Sequence, residues 1–530
     1  MGAFADFTGV LLRTAAPQRV VRAFDAAKNQ RRLRAVPTNQ AEINTLQRAY
    51  GKTVLARSRY LSINNAYVAA AKRAFVSALV GDGIKPSSLI ADPVLRAKLM
   101  ELWLRWTDEA DADGLTDYYG LEAIIAGEMF DAGECFVRLR PRLPSDNLSV
   151  PLQLQILPAE MLPLDRNEQR SGGNYIESGI EFNAIGKRVA YHFWRRHPGS
   201  DRAFNFMPSA TNTTVVPAEQ IIHIFKPTQA GQIRGLPHTI SAIVTMAILD
   251  LYEDAELERK RVAALFGGFI TKPADEDKPP LVSREGKDGA IPSGVVPNDS
   301  FALEPGATVE LRPGEEINFA EPADVGGNYD AFMSRNLLKA SAGYGVPYSH
   351  MTGDVRQGNY GSLRGAEVQF RRGVSAMQNH IIIFQFCRPV WTRWLTDAVL
   401  TGESGIGLSE FAAKPEDFIK VKHITPKWEW IDPLKDRQAE KIAVDNHWKS
   451  RGDVIEAEGF DPEEVDQRIK ADQDRADRLG LPPIVGDKVP GADPNDEMDE
   501  RNMPQPNDPP RPNDPPRPRR APRSRQQPKE

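Results

Sequence analysis

The sequence has little cysteine and no long apolar run. Only two of its 530 residues are cysteine, Cys135 and Cys387, and they lie far apart without the spacing of metal ligands. This scarcity fits a reducing compartment and excludes a disulfide framework or a zinc knuckle. Because no stretch of 18 apolar residues occurs, no membrane partner is predicted. The first residues lack the order of charge, apolar core and cleavage site of a signal peptide, so we expect synthesis in the cytosol.

Motifs that carry catalysis or bind phosphate are also missing. No GxxxxGKS/T loop occurs, and no HExxH, paired CxxC or GxSxG pattern. The eight histidines are scattered singly, and His223, inside an alternating strand pattern, is expected to be a packed residue rather than a metal ligand. The sequence therefore predicts no catalytic residues, no cofactor and no metal site.

An excess of positive charge is absent as well. The formal net charge is -5, whereas a protein that coats nucleic acid over its whole surface needs many basic contacts to phosphate. Any contact with DNA must therefore be local or weak. A length of 530 residues exceeds what one hydrophobic core usually serves, so two or three structural regions are expected.

Helical patterns fill the first part of the chain. Residues 45–80 form such a pattern, in which Asn65 is expected to cap the second of two helices. The next helix, Pro93 to Asp108, carries Trp103 and Trp106 three positions apart on one face. This spacing predicts that both rings lie in the core.

The apolar period changes from 3.6 to 2 between residues 134 and 226. Segments such as ECFVRLRPR and LQLQILP alternate apolar with polar residues and are bounded by Gly, Pro and Asn, which predicts a series of strands. One hairpin is expected around Asn183 to Gly186. Together with the helices before it, this part predicts an α+β region.

The most informative segment follows the strand-like IIHIF. A GQIRGLP turn leads into an uninterrupted helical pattern of about 28 residues, which would span about 40 Å. The first half of this pattern is apolar and the second half, from Glu253 to Arg261, is heavily charged. We expect such a helix to leave its domain as a rod.

The chain beyond this helix predicts a protruding hairpin. A segment rich in Gly, Pro and charge follows Phe266 and contains two short strand patterns, ATVELRP and EEINFAEP. A helix from Tyr329 to Tyr344 brings the chain back. A glycine-rich loop, VPYSHMTGDVRQGNYGSLRG, then precedes a long helical pattern that Pro389 is expected to kink.

The C-terminal part is helical and then loses its apolar residues. From Trp428 to Leu479 the pattern predicts a helix, a turn and another helix. The chain then becomes rich in Pro, Asp, Asn and Arg and includes the repeat PNDPPRPNDPPRP. Residues 487–530 are therefore predicted to be disordered.

Several of these segments together resemble the portal proteins of tailed phages of the lambda type. The resemblance extends from about Gln47 to Leu481 and rests on GECFVRLR, the QIRGLPH turn with its helix, LEPGATVELRPGEEINFAEP, GYGVPYSHMTGDVRQGNYGSLRGAEVQFRR and KWEWIDPLKDRQAEKIA. No single motif would suffice, but together they cover most of the chain.

The resemblance implies an α+β, portal-type architecture in which about twelve subunits form a ring. Its expected parts are a partly disordered N-terminal arm (1–44), a mixed α/β wing (45–237), a first stem helix (238–265), a small β-containing clip (266–328), a second stem helix (329–346), a tunnel loop (347–360), a long kinked wing helix (361–402), a C-terminal helical region (403–486) and a disordered Pro/Arg-rich tail (487–530).

Three groups of residues are candidates for functional contacts. Near flexible glycines, polar side chains of the tunnel loop suit weak, sequence-blind contacts with a DNA backbone: Asp354, Arg356, Gln357, Asn359, Tyr360 and Arg364. Acidic residues of the first stem helix are expected to repel phosphate and keep DNA sliding, unless they are simply solvated: Glu253, Asp254, Glu256 and Glu258. Charged residues of the clip are candidates for docking a packaging motor: Asp275, Glu276, Asp277 and Lys278.

On this resemblance the expected function is that of a ring at one capsid vertex through which the genome is packaged and ejected. The expected partners are other copies of the chain, double-stranded DNA, the large terminase motor, the major capsid and scaffold proteins, and head-completion or tail adaptor proteins. We expect the protein in the virion, and in the host cytoplasm during assembly.

Two other functions are possible from the sequence. One is a DNA-processing enzyme of a prophage, such as a terminase subunit or a nuclease, against which the missing phosphate loop and the lack of clustered catalytic carboxylates argue. The other is a scaffold or adaptor whose arginine-rich tail recruits acidic partners or nucleic acid.

Overall fold

The computed structural model describes residues 40–200, 212–265, 269–271, 316–318, 329–356, 358–428 and 433–481. The chain divides into two compact units, Met1–Asp461 and Pro462–Glu530. The predicted arm up to residue 39 and the tail 487–530 lie outside the described residues. Helices and strands both occur, as the α+β prediction requires.

Four helices and a short strand open the first unit. They are α1 (Ile43–Asn64), α2 (Ala66–Val80), β1 (Lys85–Ser88), α3 (Pro93–Thr107) and α4 (Tyr118–Asp131). The Oδ1 of Asn65 accepts hydrogen bonds from the backbone N–H groups of Tyr67 and Val68, which confirms the predicted cap of α2.

A cluster of tryptophans lies at the centre of the helical core. Trp103 and Trp106 are fully buried, as predicted, and their ring centroids are 5.0 Å apart. Trp394 meets Trp103 edge to face at 5.0 Å, and Trp391 lies 5.3 Å from Trp103. Aromatic pairs in this range contribute about 0.5–1.5 kcal/mol each beyond the area they bury. The cluster therefore joins α3 to a helix almost 300 residues later in the chain.

Antiparallel strands follow α4. They are β2 (Glu134–Pro141), β3 (Leu152–Leu157), β4 (Glu168–Gln169), β5 (Tyr175–Glu177), β6 (Ile180–Phe182), β7 (Arg188–Trp194), β8 (Thr213–Pro217) and β9 (Ile221–Phe225). One sheet has the order β3-β2-β9 and the other the order β4-β5-β6-β7-β8. The side chain of Asn183 accepts hydrogen bonds from the N–H groups of Ile185 and Lys187 in the turn between β6 and β7, so the predicted hairpin is confirmed.

A buried ion pair fixes the turn that follows β9, the last of these strands. Arg234 and Glu134 have side chains only 2% and 3% exposed, and the Arg234 Nε lies 2.9 Å from Glu134 Oε1. The backbone N–H of Gly235 donates to Glu134 Oε2 at 2.7 Å, and the imidazole Nε2 of His223 lies 3.1 Å from the same oxygen. His223 is thus a packed, hydrogen-bonded residue, as predicted.

The close approach of this turn to the start of β2 explains why glycine follows Arg234. A Cβ atom at Gly235 would lie 2.2 Å from the carbonyl oxygen of Gly133 and 2.6 Å from the Cβ of Glu134. No side chain fits there without displacing backbone. The GQIRGLP turn therefore presses directly on the start of β2.

The predicted rod is shorter than the sequence pattern indicated. A 3₁₀ turn, His238–Ser241, precedes the helix α5 (Ile243–Leu265), so the helix has 23 residues and not about 28. The Nε2 of His238 lies 2.6 Å from the Tyr344 carbonyl oxygen, and this contact holds the 3₁₀ turn against the returning chain. A tight turn therefore separates the rod from the sheet.

The chain returns through α6 (Tyr329–Tyr344), which packs on α5. Ser241 Oγ donates to the Gly343 carbonyl at one end, and the rings of Tyr252 and Phe332 lie 4.9 Å apart further along. Residue numbers rise on one helix as they fall on the other, so the pair is antiparallel. Between the two helices, β10 (Phe269–Thr271) pairs with β11 (Glu316–Asn318). Strand β11 lies within the second predicted strand pattern, EEINFAEP. The first, ATVELRP, lies outside the described residues.

A short helix and a long helical stretch follow. They are α7 (Tyr348–Thr352), α8 (Tyr360–Met377), a π-helix (Gln378–Cys387) and α9 (Arg388–Leu400). The helix changes type next to Pro389, where the sequence predicts a kink. The π-helix ends at Cys387, and Pro389 lies in the first turn of α9, which continues the helix without a break.

Short elements complete the first unit and a single helix forms the described part of the second. The first unit ends with α10 (Leu408–Ala413), α11 (Pro415–Ile419), β12 (Val421–Ile424), α12 (Pro433–Asp445) and α13 (Arg451–Ala457). Strand β12 pairs antiparallel with β1, which ties this segment to the N-terminal helices. The second unit contains α14 (Pro462–Leu479).

An isolated carboxyl group lies where the π-helix meets α4. Glu122 is fully buried and accepts a hydrogen bond from the Ile84 N–H at 2.7 Å, and the Cys387 Sγ lies 3.6 Å from its other oxygen. Burial is the largest effect and raises the pKa of Glu122 to about 8 in spite of these donors. Burial also raises the pKa of the Cys387 thiol. At neutral pH this corner of the core is therefore uncharged.

Replacing Arg234 by Met should lower the free energy of unfolding by about 3–5 kcal/mol, because the buried Glu134 carboxylate loses its cation. Burial disfavours the charge of Glu134, but Arg234 and His223 outweigh it and lower the pKa of this group to about 2. Urea unfolding followed by circular dichroism measures the loss. The control Arg170→Met removes a half-exposed arginine and should change stability by less than about 0.5 kcal/mol. Equal effects would contradict the account.

Replacing Glu122 by Gln should remove a pH dependence of stability. The pKa of this group is about 8 in the fold and about 4.5 when unperturbed, so between these values the folded state binds the extra proton. Stability then falls as pH rises, by at most about 1.4 kcal/mol per pH unit. Urea midpoints at pH 5 and pH 8 should differ less in Glu122→Gln than in the parent, whereas the exposed control Glu101→Gln should keep the parent's slope. An unchanged slope in Glu122→Gln would refute the assignment.

Candidate functional site

The predicted tunnel loop is shorter than its sequence segment. Helix α7 occupies Tyr348–Thr352, and Gly353 ends it in the left-handed conformation with a φ of 71°. At the other end, Asn359 caps α8, because its side chain accepts from the Ser362 N–H while the Ser362 hydroxyl accepts from the Asn359 N–H. Among the described residues, the irregular loop therefore consists of 353–356 and 358–359.

Two of the candidate residues in this loop form an ion pair. Asp354 Oδ1 accepts from Arg356 Nε at 2.9 Å, and the second oxygen accepts from the terminal guanidinium nitrogen at 3.0 Å. The backbone N–H of Arg356 also donates to Asp354. These hydrogen bonds lower the pKa of Asp354 to about 2 and raise the pKa of Arg356. The side chain of Arg356 is 80% exposed and that of Asp354 only 16%, so the arginine points outward with an anion bound behind it.

This ion pair lines a cleft of about 230 Å³ beside α5 and α6. Glu253 of α5 lines the same cleft, so the structure brings together residues from two of the predicted groups. Asp330 at the start of α6 and Tyr67 of α2 also line it, and sequence reasoning did not find them. Only the packing of α2 against α7 and α6 places these residues here, which no local pattern reveals.

The cleft is acidic in character. Its side chains include the carboxylates of Glu253, Asp330 and Asp354 and the single cation of Arg356. Burial, with the neighbouring carboxylates Asp250 and Asp254, raises the pKa of Glu253. Burial and the Glu253 charge likewise raise the pKa of the Tyr67 hydroxyl. The cleft therefore offers no net positive charge to a phosphate backbone.

The four predicted acids of the first stem helix do not share one surface. Asp254 and Glu258 are exposed and lie four residues apart on one side of α5. Glu256 is only 8% exposed, and its carboxylate pairs with Arg259 at 2.6 Å. Because residues three apart lie together on a helix, Glu253 and Glu256 face the side that packs toward α6. These four residues therefore do not form a continuous acidic patch in the single chain.

The remaining candidate residues have separate surroundings. Arg364, on α8, lies 3.4 Å from Asp436 of α12 and does not reach into the loop's ion pair. Tyr360 begins α8, but its side chain lies outside the described residues, as does Gln357. The clip candidates Asp275, Glu276, Asp277 and Lys278 also lie outside them.

The described residues contain neither a cluster of metal-binding side chains nor a membrane-spanning helix. No group of three or more His, Cys, Asp or Glu side chains in that part of the chain is arranged to hold a metal ion. No helix among the described residues is long and apolar enough to cross a membrane.

Comparison with known proteins places these features in a family. A model described as phage portal protein, lambda family, matches residues 29–378. This match covers well over half of the sequence, so the chain belongs to the lambda family of phage portal proteins. The resemblance inferred from the sequence is thereby confirmed. Members of this family are structural, non-enzymatic components of the capsid, and the chain is a portal protein.

Individual relatives are distant in sequence. The chain is 24% identical over 466 residues to a probable portal protein of Halomonas phage phiHAP-1, which covers 85% of this chain and 86% of the relative. It is 23% identical over 209 residues to portal protein B of Escherichia phage lambda, covering 36% and 37%. It is also 23% identical over 244 residues to the portal protein of Escherichia phage N15, covering 42% and 44%.

Solved structures align over most of the chain, although at low similarity. A chain of the virion of a native gene transfer agent particle has a TM-score of 0.41 and 15% identity, covering 82% of this chain and 94% of its own length. A chain from the neck of the native particle, computed with C12 symmetry, has a TM-score of 0.39 and 13% identity, covering 82% and 93%.

Proposed function

We propose that about twelve copies of this chain form the portal ring, and that double-stranded DNA passes through its centre during packaging and ejection. The observation that carries the proposal is the antiparallel pair α5 and α6, with Asp354 and Arg356 of the loop beside Glu253 and the start of α6, and with a small β pair between the two helices. In this assignment the pair is the stem, residues 266–328 are the clip and residues 45–237 are the wing. The number twelve comes from the family resemblance.

DNA meets a surface that holds it weakly. Arg356 is the exposed cation of the loop, but Asp354 neutralises it, and Glu253 and Asp330 line the same cleft. Phosphate binding grows with each unpaired cation, so a compensated arginine gives a short-range, sequence-blind contact that is easily broken. Such a contact suits a conduit, through which DNA must slide in both directions.

The partners follow from this assignment. The clip, with Asp275, Glu276, Asp277 and Lys278, docks the large terminase motor and later the head-completion or tail adaptor proteins. The wing contacts the major capsid and scaffold proteins. The protein is made in the host cytoplasm and ends in the virion at the portal vertex. The comparisons give no support to the alternative of a DNA-processing enzyme such as a terminase subunit or nuclease.

Replacing Arg356 by Ala should leave ring assembly intact but reduce the fraction of heads that package or retain a full genome. The arginine is 80% exposed, so its loss does not disturb the core. Deletion of residues 357–360 should act in the same direction. The measurement is the DNA content of heads assembled with each variant, together with ring counts by electron microscopy.

The control is Arg372→Ala, which removes an exposed arginine of α8 outside the loop and should package normally. Asp354→Asn should act in the opposite direction, because it leaves the Arg356 guanidinium without its anion and should strengthen retention at low salt. Full heads with Arg356→Ala, at the same frequency as with the control, would refute the role of the loop.

A further inference from the structure

The outer side of α5 exposes a row of large apolar side chains. Val244, Ile248 and Leu251 are 67%, 59% and 70% exposed, and their spacing of four and three residues places them on one face of the helix. Ala255 and Glu258 continue the same row and are also exposed. We call Val244, Ile248 and Leu251 the α5 stripe.

The α5 stripe is not the face that α5 uses within its own chain. Met246 and Leu249, which point to the other side of the helix, are almost fully buried in the hydrophobic core. Tyr252 stacks on Tyr329 of α6, with ring centroids 5.9 Å apart. Because burying apolar side chains lowers the free energy, the stripe is an uncovered apolar surface on the side of α5 that faces away from the core of its own chain.

The second helix of the pair also has an exposed face. Leu338 is 51% exposed, and Arg335 and Lys339 are exposed on the same side of α6. Phe332 is 46% exposed, but its ring contacts Tyr252 of the same chain. Met333 and Leu337, on the opposite side, belong to the core. Both helices of the stem thus have one buried side and one exposed side that contains apolar residues.

The register within one chain determines which parts of two copies meet in a ring. Ser241 lies level with Gly343, and Tyr252 lies level with Phe332, so the stretch from Val244 to Leu251 is level with residues 333–340 of α6. Rotation about a ring axis that runs along the stem leaves heights unchanged. The α5 stripe of one copy therefore meets, in the next copy, the stretch of α6 that exposes Leu338 and adjoins Phe332.

We propose that the α5 stripe packs against the exposed face of α6 in the neighbouring copy, and that this head-to-tail contact joins the stems of the ring. The inference rests on the proposed ring function and names the surface that builds it. DNA is a poor occupant of the stripe, because three apolar side chains offer no donor or cation to phosphate. The faces also differ in charge, since α5 carries Asp254 beside the stripe whereas α6 carries Arg335 and Lys339.

Disulfide trapping between two tagged chains tests this contact. One chain carries Ile248→Cys and the other carries Leu338→Cys, and the two are mixed before assembly and oxidised mildly. The native Cys135 and Cys387 are buried, so they do not compete. A disulfide between the two tags is expected, since cysteines whose Cα atoms lie within about 7 Å can be joined. Each variant alone should give no cross-link, because in a head-to-tail ring residue 248 never meets residue 248.

A charge placed in the stripe gives a second readout. Ile248→Asp should abolish rings and leave a folded monomer with unchanged circular dichroism, because this side chain is exposed in the single chain. The matched control is Leu257→Asp, which lies half a turn around α5 from Ile248, is 67% exposed, and should still form rings. Two results would overturn the proposed contact but not the proposed ring. One is ring formation by Ile248→Asp, and the other is normal rings in which the mixed cysteines do not cross-link. Absence of rings from the unsubstituted chain would instead overturn the proposed function and this contact together.

Discussion

The buried ion pair of Glu134 and Arg234 determines where the chain leaves the strands and enters α5. Arg234 also donates to the carbonyl oxygen of Ser178 at 2.8 Å, so one side chain joins the start of β2, the turn before β6 and the turn that leads to α5. A charge buried this deeply is stable only while its partners stay in place. The pair therefore holds the base of α5 in a fixed position, and every property of the stem depends on that position.

The stem combines two kinds of surface that suit a ring around DNA. Its exposed apolar face needs a cover, and in a cyclic assembly each copy covers the next. Its cleft beside Gly353–Asn359 carries more carboxylates than cations, and the one exposed arginine in it is already paired with Asp354. Strong association between copies and weak association with phosphate are opposite requirements, and the proposed assembly places them on different sides of the same helices.

Local sequence patterns predicted the elements well and the site only in part. The periodicity around Trp103 and Trp106, the cap at Asn65 and the hairpin at Asn183 depend on neighbours in sequence, so each could be inferred without the fold. The burial of Glu256 and the presence of Tyr67 in the cleft depend on contacts between distant helices, which no periodicity encodes. The start of α5 was missed by five residues, because the contact of His238 with Tyr344 favours a 3₁₀ turn in a segment with a helical pattern.

The central claim is that copies of this chain close into a ring around a channel. Electron microscopy of the purified full-length protein, with its mass measured in solution by light scattering, tests the claim most directly. The account predicts a particle of about twelve times the mass of one chain, with top views that show a central hole at least as wide as duplex DNA, about 20 Å. A species that remains a monomer or dimer at high concentration, with no ring in any view, would contradict it.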